Sequence, residues 1–459
     1  MSEPLPTGTG QTHAPTIHPD GKRRWIYPDR RKGHYSAKRQ KLAFLLILIY
    51  LCVPFLSFNG LPLLRIDMMS QVISFFGQSF RFRDASYLFF LFVIPALTLF
   101  LVTSVKGRIW CGYACPQTVW TDWVIRPIEE LLEGPAARRK VTDSRPFSFG
   151  IALRKLSKHV IFFILASFLS HVLLAYFVDP VLLLSWLSSS PTEHWGTFLA
   201  VLSVTFIMYL DFAWFREQFC AFLCPYARFQ SVMMDDHTPV VSYDSRRGEP
   251  RGRRGAAKGD CIDCQLCVRV CPTGIDIRKG LQLECIQCAR CADACNMVMK
   301  NLGRSSDLIR EISSAGDQGK QKDRLLTNLS RPKNLVFLIL LMLFTTLFIW
   351  RLAHRQAVEV SLTRQAGPAY SRLDDGSYAN LFHLHLSNTE NKDQNIQLNS
   401  MTEGIRLLCS GCQIPLKAFE EKKFSILVIA DSPGHKIVHV QFLPGEQLLE
   451  IPMILPDQS

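Results

Sequence analysis

The chain has 459 residues, enough for several domains, and a formal net charge of +13. Its mean hydropathy is slightly positive and its apolar residues come in long blocks, the pattern of a membrane protein with soluble parts. The lysines and arginines crowd beside those blocks, as membrane topology requires, and no basic–aromatic module accompanies them, which excludes nucleic acid as a partner.

Residues 1–41 are polar and basic, and no cleavable signal peptide is expected there. A bilayer span needs about 20 apolar residues. Five segments are read as spans: Leu42–Phe58, Tyr87–Val105, Val160–Val178, Thr197–Trp214 and Leu335–Trp350, the first and last being short. Leu61–Phe80 is apolar too, but Arg65 and Asp67 interrupt it, and an interfacial position is expected. Lys and Arg number nine in residues 1–41, three in 59–86, ten in 106–159, none in 179–196 and about twenty in 216–334. The alternation puts the N-terminus in the cytoplasm and residues 351–459 in the periplasm of a bacterial inner membrane.

The second and fourth spans each run into a Cys-x-x-x-Cys-Pro, "WCGYACP" with Cys111 and Cys115, and "FCAFLCP" with Cys220 and Cys224. This is an internal repeat. On a helix the four-residue spacing puts both thiols of a pair on one face, and soft thiolates suit a soft ion such as Cu(I). The bland alternative is small buried residues beside helix-starting prolines. "QTVWTDWVIRPIEELLEG", after the first pair, reads as an interfacial helix.

Ser242–Lys258 is a Gly- and Arg-rich linker. After it, "CIDCQLCVRVCP" places Cys261, Cys264, Cys267 and Cys271, and "CIQCARCADAC" places Cys285, Cys288, Cys291 and Cys295. Both are C-x2-C-x2-C-x3-C, the spacing of two-cluster bacterial ferredoxins, in which the fourth cysteine ligates the other cluster. One [4Fe–4S] cluster is therefore expected on Cys261, Cys264, Cys267 and Cys295, and the other on Cys285, Cys288, Cys291 and Cys271. A pair of zinc sites is the alternative, since C-x2-C also serves zinc. Asn296 stands where the second motif would carry proline.

A polar connector, 303–334, leads to the fifth span. From about Ala357, seven short alternating runs split by turn residues predict an antiparallel sandwich of immunoglobulin-like form. The expected organisation is a basic N-terminus (1–41), a four-helix membrane region (42–241), linker and ferredoxin domain (242–302), connector (303–334), fifth helix (335–350) and sandwich (351–459). His383 and His385 share a strand face near Met401, Cys409 and Cys412, where a Cys409–Cys412 disulfide is the plainer reading than a copper site. His159 and His171 flank the third span as interhelical polar residues or haem or quinol ligands. No C-x-x-C-H occurs, which excludes covalent haem, and Cys52 reads as a small apolar filler.

The stretches "RRWIYPDRRKGHYSAKR", "WCGYACPQTVWTDW", "FCAFLCPYARFQSVM", "YDSRRGEPRG" and the eight-cysteine run carry a resemblance. The chain resembles the cytochrome c oxidase accessory proteins CcoG, FixG and RdxA, membrane polyferredoxins with an immunoglobulin-like C-terminal domain. The resemblance implies reduction of Cu(II) to Cu(I) during maturation of a cbb3-type cytochrome c oxidase. It implies cluster ligation by the eight cysteines, and a copper-binding or electron-relay role for Cys111, Cys115, Cys220 and Cys224. The partners expected are copper ions, a copper chaperone or oxidase subunits, and a cytoplasmic electron donor; a homodimer is left open. Two other functions compete. One is a quinol-oxidising carrier, with Asp211, His171 and Glu217 as pocket candidates, and the other is a scaffold for oxidase assembly.

Overall fold

A computed structural model describes residues 16–17, 20–68, 70–81, 85–146, 148–252, 259–313, 325–355, 357–365, 368, 370–390, 392–402, 404–409, 413–431, 436–443 and 447–455. The chain divides into two compact units. One is Met1–Phe55 with Phe89–Thr346, the other Leu56–Leu88 with Leu347–Ser459.

Among the described residues four helices are long and apolar enough to cross a membrane: Ser86–Lys106, Phe149–Leu174, Trp195–Phe215 and Pro332–Ala353. The last is six residues longer than the predicted Leu335–Trp350, and the third begins at Phe149 rather than Val160 because the helix continues through Arg154, Lys155 and Lys158. The first expected span departs most. Its helix runs over His34–Cys52, with Lys38, Arg39 and Lys41 in its first half, and a short 3-10 turn at Val53–Phe55 follows. The apolar run is therefore divided between helix and turn and is not among the four. Cys52, expected as a filler, is exposed at the end of this helix.

Helices Phe149–Leu174 and Trp195–Leu210 pack together around Phe162, Ala166, Leu169 and Phe212, with Ile125 closing the cluster. Ile125 belongs to the stretch expected to lie at the interface. It is helical from Pro116 to Glu133 with one wide π turn at Thr121–Ile125. Its polar side chains turn into the protein: Asp122, Arg126 and Glu129 are all at most 4% exposed.

The cysteine-rich insert is tied at its neck by a two-stranded antiparallel ladder, Val240–Tyr243 against Ile309–Ile312. The expected connector thus contributes a strand. Asn296 explains itself here: its amide and the Asp307 main chain and carboxylate bond reciprocally, at 2.8 and 3.2 Å. A proline at 296 would interrupt the helix Arg290–Asn301, which here carries two cysteines.

In the second unit, the stretch expected at the interface forms strands: Leu64–Asp67, Val72–Phe75 and Gln78–Arg81 make an antiparallel meander. Arg81 donates to the Phe419 carbonyl at 2.6 Å and pairs with Glu421. The C-terminal domain is a two-sheet sandwich. One sheet runs Ile405–Cys409, Glu421–Ala430, Tyr378–Asn388, Val358–Arg364, with Ser371–Arg372 on the Tyr378 end; the other runs Gln413–Leu416, Gln394–Ser400, Lys436–Leu443, Gln447–Met453. Alternating inward residues such as Phe382, Leu384, Leu386, Val428, Val440 and Ile451 fill the space between the sheets. All seven predicted strands are present, with Ser371–Arg372 and Gln413–Leu416 in addition. Cys412 lies outside the described residues.

Candidate iron–sulfur and thiol centre

Each half of the insert bends its cysteine loop twice through left-handed backbone. Asp263 (φ 52) and Gln265 (φ 58) flank Cys264, and Gln287 (φ 53) and Ala289 (φ 55) flank Cys288. None is glycine, so each conformation costs about 1–2 kcal/mol. The same strain at matching positions marks a functional constraint. Backbone of this kind makes anion-binding concavities of the sort that hold iron–sulfur clusters.

Two cavities result. One is lined by Cys261, Cys264 and Cys267 of the first half and Cys295 of the second, against Met299 and Leu308. The other is lined by Cys285, Cys288 and Cys291 with Cys271 of the first half, against Ile275 and Ile277. Cys267 reaches the wall of both. The exchange has a simple cause: Cys291 and Cys295 sit one turn apart on the helix Arg290–Asn301, which packs on the short helix Leu266–Arg269. Burial pushes the thiols of Cys267, Cys285 and Cys295 up to about 12 and raises those of Cys271 and Cys291. As free thiols these groups keep their protons at neutral pH, and a bound cation is what draws them off. Four soft donors around an apolar cavity, with strained concave backbone, fit a [4Fe–4S] cube in each.

The two membrane pairs come together in the same unit. The single-helix expectation does not hold for either. Helix Ile109–Tyr113 stops before Cys115, and Cys220 lies in a π turn, Phe219–Leu223, that stops before Cys224. Cys115 and Cys224 are extended N-caps, because Pro116 and Pro225 at the next position exclude helical backbone before them. Both cap amides reach five residues back, Cys115 N to Trp110 O at 2.8 Å and Cys224 N to Phe219 O at 2.9 Å. The repeat is thus one of backbone geometry as well as sequence.

Side chains from each repeat bind the other. Gln117 donates to Asp211 Oδ1 at 2.9 Å and to the Arg216 carbonyl at 3.1 Å. Arg108 donates to the Ala227 carbonyl at 2.7 Å, and the Cys111 thiol to Gln230 Oε1 at 3.3 Å. Cys220 lies within electrostatic reach of Cys111, Cys115 and Cys224. Burial pushes the Cys111 thiol up to about 12 and raises Cys115 and Cys220.

This thiol group abuts the insert. A Cβ on Gly112 would lie 2.6 Å from the Ile286 carbonyl, between Cys285 and Cys288. Arg108 donates its main-chain N–H to Gln287 Oε1 at 2.8 Å and its side chain to the Leu283 carbonyl. It stands within electrostatic reach of Cys111 and Cys285 alike, as Arg39 does of Cys288.

Sequence reasoning missed the anchor of this assembly. Asp122 accepts from Arg39 at 2.8 Å and Arg126 at 2.5 Å, and Arg290 stands at 3.4 Å. Burial alone would raise its carboxyl, but Arg290, Arg126 and Arg39 outweigh that and hold it well below the usual range. Asp293, between two cluster cysteines, accepts from Tyr35 N and Ser36 N and so caps the helix His34–Cys52. A lone acid in the apolar, aromatic run "TVWTDWVI" was the available signal.

The weaker candidates are engaged elsewhere. His171 bonds to Ser167 of its own helix, and His159 to Tyr209. Glu217 pairs with Arg23 and Arg126. His383 bonds to Ser425 and His385 to Glu421 across the outer face of one sheet, while Met401 is exposed. The side chain of Cys409 and all of Cys412 lie outside the described residues.

The fold and centre define a membrane protein with an iron–sulfur insert and a β-sandwich domain. Comparison with known families agrees. A 4Fe–4S dicluster domain matches residues 215–258 and 250–314, a 4Fe–4S binding domain matches 88–137, and the IG-like fold at the C-terminus of FixG matches 348–443. Protein RdxA of Cereibacter sphaeroides is 34% identical over 390 residues, 81% of each chain. Protein RdxB of the same organism is 32% identical over 401 residues, 83% of each. Nitrogen fixation protein FixG of Rhizobium meliloti is 37% identical over 303 residues, 63% of this chain and 57% of that protein. No solved structure matches the chain. The chain belongs to the FixG/RdxA family of membrane-bound iron–sulfur electron-transfer proteins.

Proposed function

We propose that this protein reduces Cu(II) to Cu(I) at the membrane for copper delivery during assembly of a cbb3-type cytochrome c oxidase. The observation that carries the reading is the contact of Gly112, beside Cys111, with the Cys285–Cys288 loop, which brings the membrane thiols against the insert. A bound [4Fe–4S] cluster supplies a one-electron carrier, and Cu(II) to Cu(I) takes one electron. The eight insert cysteines hold the carriers in the crossed pattern described above. Buried Arg39 and Arg108 offset the negative charge of thiolate-bound iron. Cys111, Cys115, Cys220 and Cys224 form the exit, and thiolates there favour Cu(I) over Cu(II). A cytoplasmic donor replaces the electron.

The topology proposed places the N-terminus and insert in the cytoplasm and the sandwich in the periplasm, with five crossings. Helix His34–Cys52 is capped by Asp293 of the insert at its start. Its 19 residues span about 28 Å, close to the thickness of a hydrocarbon core. Quinol oxidation has less support, since His171, Asp211 and Glu217 each serve a structural partner.

The test uses the full-length protein, purified anaerobically, with its clusters reduced. Cu(II) is added with a Cu(I)-specific chelator, and cluster absorbance and EPR are followed. Stoichiometric Cu(I) with reoxidised clusters is expected; clusters that stay reduced would overturn the reading.

A further inference from the structure

We propose that the insert takes its electrons at the Asp263–Gln265 loop, from a small acidic one-electron carrier protein that docks on the basic face around that loop. This rests on the reading of the insert as the electron source for the membrane thiols, and says where that source is refilled and by what class of partner.

The two halves of the insert have matching loops in unlike surroundings. Asp263, Cys264 and Gln265 are all exposed. Their counterparts Gln287, Cys288 and Ala289 are at most 8% exposed. The backbone is the same in both, left-handed on either side of the middle cysteine. The difference is what covers them. The Arg108 main-chain N–H bonds to Gln287 Oε1 at 2.8 Å, and a Cβ on Gly112 would lie 2.6 Å from the Ile286 carbonyl. The second loop therefore lies under the foot of the membrane helices, while the first is open to solvent. Electron exchange between proteins needs one edge of a centre at the surface, because tunnelling falls steeply with distance. Only the first loop offers such an edge. Behind it the two cavities adjoin, since Cys267 lines both.

Charge identifies the partner. Residues 242–282, which hold the open loop, carry nine Lys and Arg against five Asp and Glu, whereas residues 283–302, which hold the covered one, carry two of each. The basic side chains stand around the first cavity. Arg251 is exposed next to Gly252, whose N–H bonds to the Cys261 carbonyl at 3.2 Å. Lys279 is exposed next to Arg278, and Lys300 next to Met299, and both neighbours line that cavity. The acids there have cationic neighbours: Asp260 has Arg247 at 2.8 Å, Asp276 has Arg278 at 2.8 Å, Glu249 has Arg251 at 3.7 Å, and Asp263 also pairs with Arg278. Met297, on the helix that carries Cys295 and Lys300, is 36% exposed and gives the face an apolar contact. Interfaces between electron-transfer proteins are small, and opposite charge steers their encounter. The complement of this face is an acidic carrier.

With a flavodoxin-type partner, the anionic flavin hydroquinone gives up one electron and becomes the neutral semiquinone, and no proton moves. The centre held by Cys261, Cys264, Cys267 and Cys295 is reduced by that electron.

The test uses the full-length protein in nanodiscs, with an acidic flavodoxin as the probe. Carbodiimide coupling of oxidised flavodoxin, mapped by mass spectrometry, should join its carboxylates to Lys279 and Lys300; links confined to other lysines would overturn the face. In anaerobic stopped flow, flavodoxin hydroquinone should reduce the protein at a rate that falls steeply with salt. The triple variant Arg251→Glu, Lys279→Glu, Lys300→Glu should slow that rate about tenfold or more. Its iron content should hold, as should its reduction by dithionite, a small reductant that needs no docking. A rate untouched by the three reversals would overturn the proposal; if the variant then loses only its attachment to anionic-lipid vesicles, the face belongs to the membrane surface. Cys295→Ser, which lacks the first centre, should be reduced by flavodoxin far more slowly than the wild type, and equal rates would put entry at the second loop. The Cu(II) test starts from chemically reduced protein and uses no carrier. Its success beside a silent flavodoxin would overturn the entry face alone, and its failure beside fast reduction by flavodoxin would overturn copper reduction alone.

Discussion

The insert and the membrane thiol group gather their cysteines in two different ways. In the insert, all eight cysteines lie between Cys261 and Cys295, and strained left-handed turns at Asp263, Gln265, Gln287 and Ala289 shape the loops around two cavities. In the membrane group the pairs are more than a hundred residues apart, no left-handed residue lies within either motif, and proline-led caps at Cys115 and Cys224 set the geometry. Local loops build the first from adjacent sequence. The second exists only when two transmembrane repeats have packed. The insert should therefore tolerate damage to helix packing better than the membrane group does.

The largest effect expected is the loss of a whole cluster. Cys295→Ser should remove the cluster shared with Cys261, Cys264 and Cys267 and leave the one on Cys285, Cys288 and Cys291, as read by EPR. Loss of the second cluster instead would break the crossed assignment. Next is Asp122→Asn, which leaves Arg39, Arg126 and Arg290 buried without their carboxylate. Breaking a buried ionic group costs about 3–5 kcal/mol. Thermal unfolding should show it, with the membrane thiols exposed to alkylation before the insert loses iron.

Gly112→Ala is a finer probe of the junction. Its Cβ would meet the Ile286 carbonyl at 2.6 Å, and that atom belongs to the backbone, so something must move. Overpacking of this kind costs about 1–3 kcal/mol. Cu(I) production should slow while iron content holds; an unchanged rate would place electron exit elsewhere. The smallest effect is in pH. The Asp122 carboxyl is depressed in the folded protein, so its contribution is complete above the unfolded value of about 3.9 and is lost as pH falls through the folded one. The stability gap between the wild type and Asp122→Asn should be constant from pH 8 to about pH 5 and shrink below about pH 4.

Much was legible in advance. Period-2 alternation announced the sandwich, and seven of its strands were found where the runs lie, because one buried face per strand leaves that imprint. The cluster cysteines were legible because their spacing is local. The secondary structure of Leu61–Phe80 was not legible, because a short apolar run with two charges has no clear period, and only its pairing shows the meander. The single-helix reading of the Cys-x-x-x-Cys pairs failed because proline's exclusion of helix at Cys115 and Cys224 outweighs the four-residue period.

What the sequence by itself determined is the inventory: apolar runs long enough for lipid, two matched sets of four cysteines, two proline-bounded pairs and an alternating tail. Each is set by chemistry within about thirty residues. The tertiary structure alone decided that Asp122 gathers three arginines, that Asp293 caps a helix some 250 residues earlier in the chain, and that Gly112 meets Ile286. Those contacts join distant segments, and a buried charge or a close backbone approach leaves no periodic mark in the chain that makes it.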